Sequence, residues 1–228
     1  MKRIFYDGAI SGIFSIEGDY FHYIKNVVRA KEGDTLCVMS RDKLAECTIK
    51  ELGKRSALLS ADSVRDTVKH DYQLKVYQCL LKREYMDFAV EKYSELGATE
   101  IIPVISKRSL NELKDKTKER FTDIALKAVL QSENEQLPII SDSINIEDVA
   151  ADMDENVLFY ERCETRSMPC IAKSMSIIIG PEGGFEDYEY ELLVNKGFKA
   201  VRPIDQILKA ETASVVFTGL VRMMQDNL

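Results

Sequence analysis

The chain has 228 residues, with 31 lysines and arginines against 38 aspartates and glutamates, which gives a formal net charge of −7. Hydrophobic residues make up 45% and charged residues 30% of the sequence, which excludes a largely disordered or collagen-like chain. No run of 18 apolar residues is present, so we expect no membrane partner and a cytoplasmic location. Five cysteines, an odd number, and only two histidines argue against a disulfide framework and predict no metal site.

Charge is distributed unevenly along the sequence. Residues 1–70 carry 12 basic and 10 acidic side chains, whereas residues 71–228 carry 19 and 28. This difference is either chance variation on a solvated surface or the mark of an anion-binding N-terminal module on an acidic body.

The first seventy residues predict a small β-rich module. Short apolar runs are separated by turn signals such as Lys31–Asp34 and Leu52–Lys54, and one helix is predicted over Asp19–Val28. Closely spaced short strands favour a small β-barrel, and the alternative is an irregular extension packed on the larger domain. The predicted strands are Arg3–Tyr6, Thr35–Met39, Leu44–Lys50 and Ser56–Ser60.

From about residue 72, strand-like runs alternate with helical stripes, which predicts an α/β domain with a parallel sheet covered on both faces. The charged stretch Asp62–Asp71 is the predicted boundary, so the domains are 1–70 and 71–228. The predicted strands are Leu74–Leu81, Ile101–Ile105, Val157–Tyr160, Ser176–Gly180 and Ala200–Ile204, and the predicted helices carry apolar stripes over Tyr85–Leu96, Phe121–Val129 and Ala213–Met224.

The first unusual loop, Gly180–Phe185, directly follows an apolar strand and precedes an acidic helix start at Glu186. Three glycines and a proline within five positions specify an unusual backbone path, and glycines also let a ligand approach main-chain amides. The loop matches neither the P-loop nor the GxGxxG pattern, so a phosphate cradle is a poor interpretation. The alternative is a tight strand-to-helix turn.

The second unusual loop, Pro203–Ala213, also lies between a strand and a helix. Its apolar residues stand where polar turn residues are expected, which indicates a packed loop or a pocket wall. Asp205 or Thr212 is the predicted helix cap, and in the simpler interpretation Glu211 and Thr212 only satisfy the amides at the helix start.

Together, Gly180–Phe185 and Ile207–Ala213 resemble the paired motifs of the RsmE-type ribosomal RNA (uracil-N3) methyltransferases, which belong to the SPOUT superfamily. The resemblance covers most of the chain. Further matching positions are Arg3–Phe5, His22, Val28-Arg29, Gly33-Asp34, Lys82, Met86-Asp87, Lys92, Glu95–Gly97, Arg108-Ser109, Gln131-Ser132 and Pro138.

The resemblance implies a PUA-like β-barrel at the N-terminus and a C-terminal SPOUT α/β domain with a parallel sheet and a deep trefoil knot. It implies S-adenosylmethionine as cofactor, 16S ribosomal RNA within the small ribosomal subunit as partner, and a homodimer. The expected activity is methylation of N3 of one uridine. A sulfonium methyl group is already electrophilic, so no metal is expected.

The resemblance also assigns residues. Glu182 is expected to be the base that accepts the N3 proton, or else a residue that orients the cofactor or accepts hydrogen bonds from backbone amides. Lys209 or Arg29 is the cation expected to stabilise the uracil anion. Arg3, Lys25, Arg29 and Lys31 are candidate phosphate contacts, although such side chains are often simply solvated. The expected cofactor residues are Glu161, Gly180, Pro181, Glu182, Gly183, Gly184, Pro203, Ile204, Gln206, Ile207, Leu208 and Glu211.

Two alternatives follow from departures at the expected site. Pro203–Gln206 stands where the family has Leu-Gly-x-Arg, Glu133-Asn134 stands for Gly-Arg, and Lys209 replaces an arginine. Lysine keeps the charge but lacks the planar fork of arginine. The alternatives are a catalytically weakened RNA-binding paralogue and a SPOUT methyltransferase that acts on a different RNA.

Overall fold

The computed structural model describes residues 2–109, 113, 116–164 and 166–228. The chain forms two compact units. The first contains Met1–Lys69 and Val129–Gln136, and the second contains His70–Ala128 and Leu137–Leu228. The grouping of 129–136 with the N-terminal residues is not predicted by the sequence pattern.

A five-stranded sheet in the order β1-β3-β4-β5-β2 builds the first unit. β1 pairs with β3 in parallel and the other neighbours are antiparallel. The predicted helix is split into α1 and a π-helical turn over Tyr23–Val28. The elements of this unit are β1 (Arg3–Phe5), β2 (Ile13–Glu17), α1 (Gly18–His22), β3 (Thr35–Met39), β4 (Lys43–Leu52) and β5 (Ser56–Asp66).

Two arginines of the first unit bind the segment Val129–Gln136. Arg3 donates to the carbonyl oxygens of Glu133 and Asn134 at 2.8 and 3.3 Å. Arg65 donates to both carboxylate oxygens of Glu135 at 2.7 and 2.5 Å, and these hydrogen bonds hold the pKa of Glu135 below its ordinary value. Forked arginine–carboxylate pairs have a fixed geometry, so this segment is an integral part of the first unit.

The second unit contains a parallel sheet in the order β12-β10-β11-β6-β7-β8, and β9 also pairs with β7. This confirms the predicted α/β class with a parallel sheet. Its strands are β6 (Gln73–Cys79), β7 (Glu100–Ile105), β8 (Ile139–Ile140), β9 (Ile144–Asn145), β10 (Glu155–Phe159), β11 (Ser174–Ile179) and β12 (Lys199–Val201). Its helices are α2 (Arg83–Glu95), α4 (Asp187–Lys196), α5 (Ala210–Gln225) and all but the last turn of α3 (Thr117–Ser132), since residues from Val129 on belong to the first unit; a 3-10 turn covers Ile146–Asp148.

Successive residues of the central strands face opposite sides of this sheet. On β11, Ile177 and Ile179 join the core that contains residues of α2, α3 and α5, while Ile178 joins the core that contains Leu193 of α4. Because both faces are covered, apolar residues make up most of each central strand. The chain's loops at the carboxyl ends of these strands are therefore the places where a ligand can enter, as in other open α/β sheets.

Candidate functional site

A cleft opens at the carboxyl ends of β10, β11 and β12. It holds about 640 Å³ of space outside protein atoms, part of it open to solvent. The lining residues are Phe159, Tyr160, Glu161, Ile179, Gly180, Pro181, Glu182, Gly184, Val201, Arg202, Ile204, Gln206, Ile207, Leu208, Ala210, Ala213 and Phe217.

The base of the cleft is apolar and aromatic. The rings of Phe159, at the end of β10, and Phe217, on α5, stack with centroids 4.2 Å apart and an interplanar angle of 7°. Ile204 and Leu208 of the second loop pack against the same core. A flat apolar group can therefore be held against these walls without leaving polar groups unsatisfied.

The first loop takes a path that requires glycine at its end. Gly184 has φ +70°, in the left-handed region, and its N–H donates to the carbonyl oxygen of Pro181 at 2.9 Å. A Cβ at position 184 would lie 2.9 Å from the Glu161 carboxylate. Glycine is needed here both for the backbone and for the close approach of Glu161.

Arg108 and Glu189 fix the first loop from outside the cleft. The Arg108 guanidinium donates to the carbonyl oxygen of Gly183 and to the carboxylate of Glu186, both at 2.9 Å. The fully buried Glu189 accepts hydrogen bonds from the backbone N–H groups of Lys107 and Glu186, both at 2.8 Å. With Glu186 it forms a capping box at the start of α4. The loop is thus held in shape by hydrogen bonds within the protein.

The second loop is anchored mainly at its beginning. The Arg166 guanidinium donates to the carbonyl oxygen of Pro203 at 2.7 Å. The backbone N–H of Ser167 donates to the carbonyl oxygen of Arg202 at 3.0 Å. Farther along, the Ile207 side chain is strongly exposed, since 78% of the residue is accessible to solvent. Ile207 also lines the cleft, so its exposed apolar side chain stands at the cleft's mouth.

The predicted caps of α5 are wrong. The N-cap residue is Lys209, with no side-chain cap hydrogen bond. Asp205 instead lies 3.7 Å from the Arg202 guanidinium, and Thr212 lies inside the first turn. The loop therefore reaches α5 by apolar packing rather than by polar capping.

Most of the residues that the sequence assigns to a cofactor line this cleft. Gly183, Pro203 and Glu211 are not among the described residues that line it. Eight further lining residues were not among the expected cofactor residues: Phe159, Tyr160, Ile179, Val201, Arg202, Ala210, Ala213 and Phe217. Ala210 and Ala213 stand within the second loop itself, and the other six lie in the predicted strands and helix beside the two loops. Their place within or beside the two motifs is the sequence signal that could have identified these residues.

The candidate catalytic residues lie in different surroundings. Glu182 is exposed and lines the cleft. The Lys209 side chain is 80% exposed and lies 4.0 Å from the Glu211 carboxylate. Arg29 lies in the first unit, where it is exposed and has a left-handed backbone with φ 55° directly after the π-helical turn.

The candidate RNA-contact side chains also differ in how many contacts they already make within the protein. The side chain of Arg3 is only 13% exposed and is held by the 129–136 segment. Lys25 is exposed, lies 5.2 Å from the ring centroid of Phe21, and donates to the carbonyl oxygen of Gly53 at 3.3 Å. Lys31 is exposed. The RNA contacts of all four cations, Arg29 included, stay predictions, and Arg3 has the least freedom to make one.

Two kinds of feature are absent from the residues that the structure describes. No group of three or more His, Cys, Asp or Glu side chains is arranged to hold a metal ion within that part of the chain. None of its described helices combines the length and apolar character needed to cross a membrane.

Comparison with known proteins decides the family. A family model for an RNA methyltransferase domain matches residues 68–222, and a model for an RNA methyltransferase PUA domain matches residues 16–61. Ribosomal RNA small subunit methyltransferase E of Rickettsia conorii is 30% identical over 99% of this chain and 97% of its own length. The chain belongs to the RsmE-type RNA methyltransferase family. The resemblance of its paired motifs to this family is confirmed.

Two solved structures share the fold of this chain. A putative methyltransferase of Legionella pneumophila, in complex with the cofactor SAM, matches with a TM-score of 0.89 and 22% identity over 98% of this chain and 97% of that one. A ribosomal RNA small subunit methyltransferase E of Neisseria gonorrhoeae, bound to S-adenosyl methionine, matches with a TM-score of 0.87 and 23% identity over 98% of both chains. At these identities the likeness establishes a shared fold.

Proposed function

We propose that this protein transfers the methyl group of S-adenosylmethionine to N3 of one uridine in 16S ribosomal RNA, in the cytoplasm, as a homodimer acting on the small ribosomal subunit. The observation that carries the proposal is the cleft between the two motif loops, in a chain of the RsmE-type family. The proposal includes a PUA-like barrel over 1–70 and a SPOUT domain over 71–228 with a deep trefoil knot.

The residues of the cleft fit the proposed cofactor. Its apolar walls suit an adenine ring, with Ile204, Ile207 and Leu208 of the second loop beside it. The missing side chain at Gly184 leaves main-chain groups accessible beside the Glu161 carboxylate, which suits ribose hydroxyl groups. The carboxylates of Glu161 and Glu182 also suit the positive charge of a sulfonium.

The proposed reaction requires a residue of this protein that accepts one proton. S-adenosylmethionine supplies an electrophilic methyl group when bound. Uracil N3 carries a proton at neutral pH, so a proton acceptor is required, and a positioned base contributes typically about 10²–10⁴-fold. Glu182 lines the cleft and is the carboxylate proposed either to accept this proton or to orient the cofactor. Lys209 or Arg29 is the cation proposed to stabilise the uracil anion.

Calorimetry with S-adenosylmethionine is the first test of this proposal. We expect binding with a Kd in the micromolar range. Absence of binding would overturn the methyltransferase assignment and favour an RNA-binding paralogue.

Mass mapping of 16S ribosomal RNA is the second test. In a strain that lacks the gene, one 3-methyluridine should disappear and return when the gene is supplied again. Loss of a different mark, with 3-methyluridine retained, would instead assign the enzyme to another position or another RNA.

Glu182→Gln distinguishes the two roles of this side chain. If Glu182 is the base, kcat should fall by about 10²–10⁴-fold while the Kd for S-adenosylmethionine stays near the wild-type value. If the Kd rises and kcat barely changes, Glu182 orients the cofactor and the base lies elsewhere.

A further inference from the structure

Gln78 is a fully buried polar residue at the carboxyl end of β6, with 0% of its surface exposed. It does not line the cleft. On the same face of the sheet lie Leu74 and Val76, which belong to the apolar core beneath α2 and α5. A buried amide in such surroundings is costly unless its hydrogen-bonding groups are satisfied.

The side-chain amide of Gln78 uses its full hydrogen-bonding capacity. Its Oε1 accepts hydrogen bonds from the hydroxyl groups of Tyr93 on α2 and of Ser214 on α5, the latter at 2.9 Å. Its Nε2 donates to the carbonyl oxygen of Cys79 at 2.8 Å and lies 3.5 Å from the carbonyl oxygen of Gly180. One amide group offers two acceptor sites and two N–H groups, so each has a partner here.

These partners join the two walls of the cleft. Gly180 is the first residue of the first loop, and Ser214 lies in the first turns of the helix that follows the second loop. The Ser214 hydroxyl also lies 2.8 Å from the carbonyl oxygen of Ala210, so its single proton is shared between two acceptors. Gly180 and Ala210 both line the cleft, which places Gln78 directly behind both walls.

We propose that Gln78 is a positioning residue that sets the separation of the two cofactor-binding walls by joining Gly180 to Ser214 through one buried amide. The inference rests on the proposed function, since it assigns the cofactor to this cleft. Binding sites lose affinity when their walls shift by fractions of an ångström. Gln78 therefore acts on cofactor binding without touching the cofactor.

Gln78→Met tests the inference, because methionine preserves the length of the side chain and removes all of its hydrogen bonds. We expect the Kd and the KM for S-adenosylmethionine to rise roughly tenfold or more, while the KM for ribosomal RNA stays unchanged. The matched control is Val90→Ala, which opens a cavity in the same core on α2. It should lower Tm and leave the KM for S-adenosylmethionine as in the wild type.

The outcomes distinguish a failure of the role of Gln78 from a failure of the proposed function. Wild-type cofactor affinity in Gln78→Met, or an equal loss of affinity in Val90→Ala at equal loss of Tm, would overturn the role of Gln78. Failure of the wild-type protein to bind S-adenosylmethionine would instead overturn the proposed function, and this inference with it.

Two further variants keep the test decisive if Gln78→Met does not fold. Ser214→Ala removes only the donor on α5 and should raise the Kd for S-adenosylmethionine several-fold; an unchanged Kd overturns the inference. In Gln78→Glu the side chain has a hydrogen-bond donor only when its carboxyl group is protonated. Burial raises the pKa of such a carboxyl group. Its cofactor affinity should therefore recover between about pH 8 and pH 6, relative to wild type; an equal pH dependence in both proteins overturns the inference.

Discussion

The two loops that form the cleft are held in contrasting ways. The first is fixed along its length, by the Arg108 guanidinium on Gly183, by the Glu186 capping box and by the turn that ends at Gly184. The second is anchored at Pro203 but leaves Ile207 exposed. The first wall of the cleft is therefore already shaped, whereas the second has apolar surface that a ligand can cover.

Preorganisation explains why such a division is useful. A loop that is already ordered costs little conformational entropy when a ligand binds. An exposed apolar side chain adds favourable free energy only when a ligand covers it. Changes in the first loop should therefore damage the site itself, and changes in the second should alter affinity alone.

Gly184→Ala is expected to have the largest effect. A left-handed backbone costs a residue with a Cβ roughly 1–2 kcal/mol, and the new Cβ would lie 2.9 Å from the Glu161 carboxylate. We expect the Kd for S-adenosylmethionine to rise by about 10–100-fold, because both the loop and Glu161 must shift. Calorimetry measures this change.

Gly12→Ala is the matched control for this variant. Gly12 lies in the first unit at φ +56°, and a Cβ there would meet no atom within 4 Å. It should lose a similar unfolding free energy and keep the wild-type Kd. If both variants lose the same affinity, the first loop is not the preformed wall.

Ile207→Ala tests the second loop. Full burial of an isoleucine side chain stabilises by about 1.5–3 kcal/mol, and Ile207 gains this only when a ligand covers it. We expect the Kd for S-adenosylmethionine to rise about tenfold, with the unfolding free energy within about 0.5 kcal/mol of wild type.

The control for Ile207→Ala is Ile13→Ala, at a residue of β2 that is 67% exposed. It should change neither the Kd nor the unfolding free energy. A drop in Tm for Ile207→Ala in the absence of cofactor would contradict the idea that the second loop waits for its ligand.

Arg108→Ala should have the smallest effect. It removes the two hydrogen bonds that hold Gly183 and Glu186, but the side chain is 36% exposed, and such pairs contribute about 0.2–1 kcal/mol. We expect a two- to fourfold rise in the Kd for S-adenosylmethionine, about what that free energy allows. Arg83→Ala is the control, because the Arg83 side chain is 77% exposed and lies 3.9 Å from the Asp87 carboxylate. It should leave the Kd unchanged. If both variants raise the Kd equally, Arg108 does not support the first loop.

The sequence predicted the large elements because their signals are local. Apolar runs predicted the strands that became β6, β7, β10 and β11, and 3.6-residue stripes predicted α2, α3 and α5. Ile13–Glu17 was missed since Ile13 is exposed and the strand is defined by pairing with β5. Strand β12 ends at Val201 rather than at Ile204, because the chain leaves the sheet there to line the cleft.

The site was predictable where the composition of the two loops departs from that of ordinary turns. Gly180–Phe185 stood out by composition, and its carboxyl-end position followed from the strand before it. Gln78 carried no signal, since its role comes from partners 15 and 136 residues away in the chain. Contacts at that separation depend on tertiary packing, which no local pattern encodes.

The segment Val129–Gln136 has a consequence for dissecting this protein. A fragment that stops near residue 70 lacks the carbonyl oxygens that bind Arg3 and the carboxylate that binds Arg65. Two guanidinium groups would then have to find water or new acceptors. A fragment of residues 1–70 therefore lacks part of the first unit, and RNA-binding measurements on it would report on an incomplete structure.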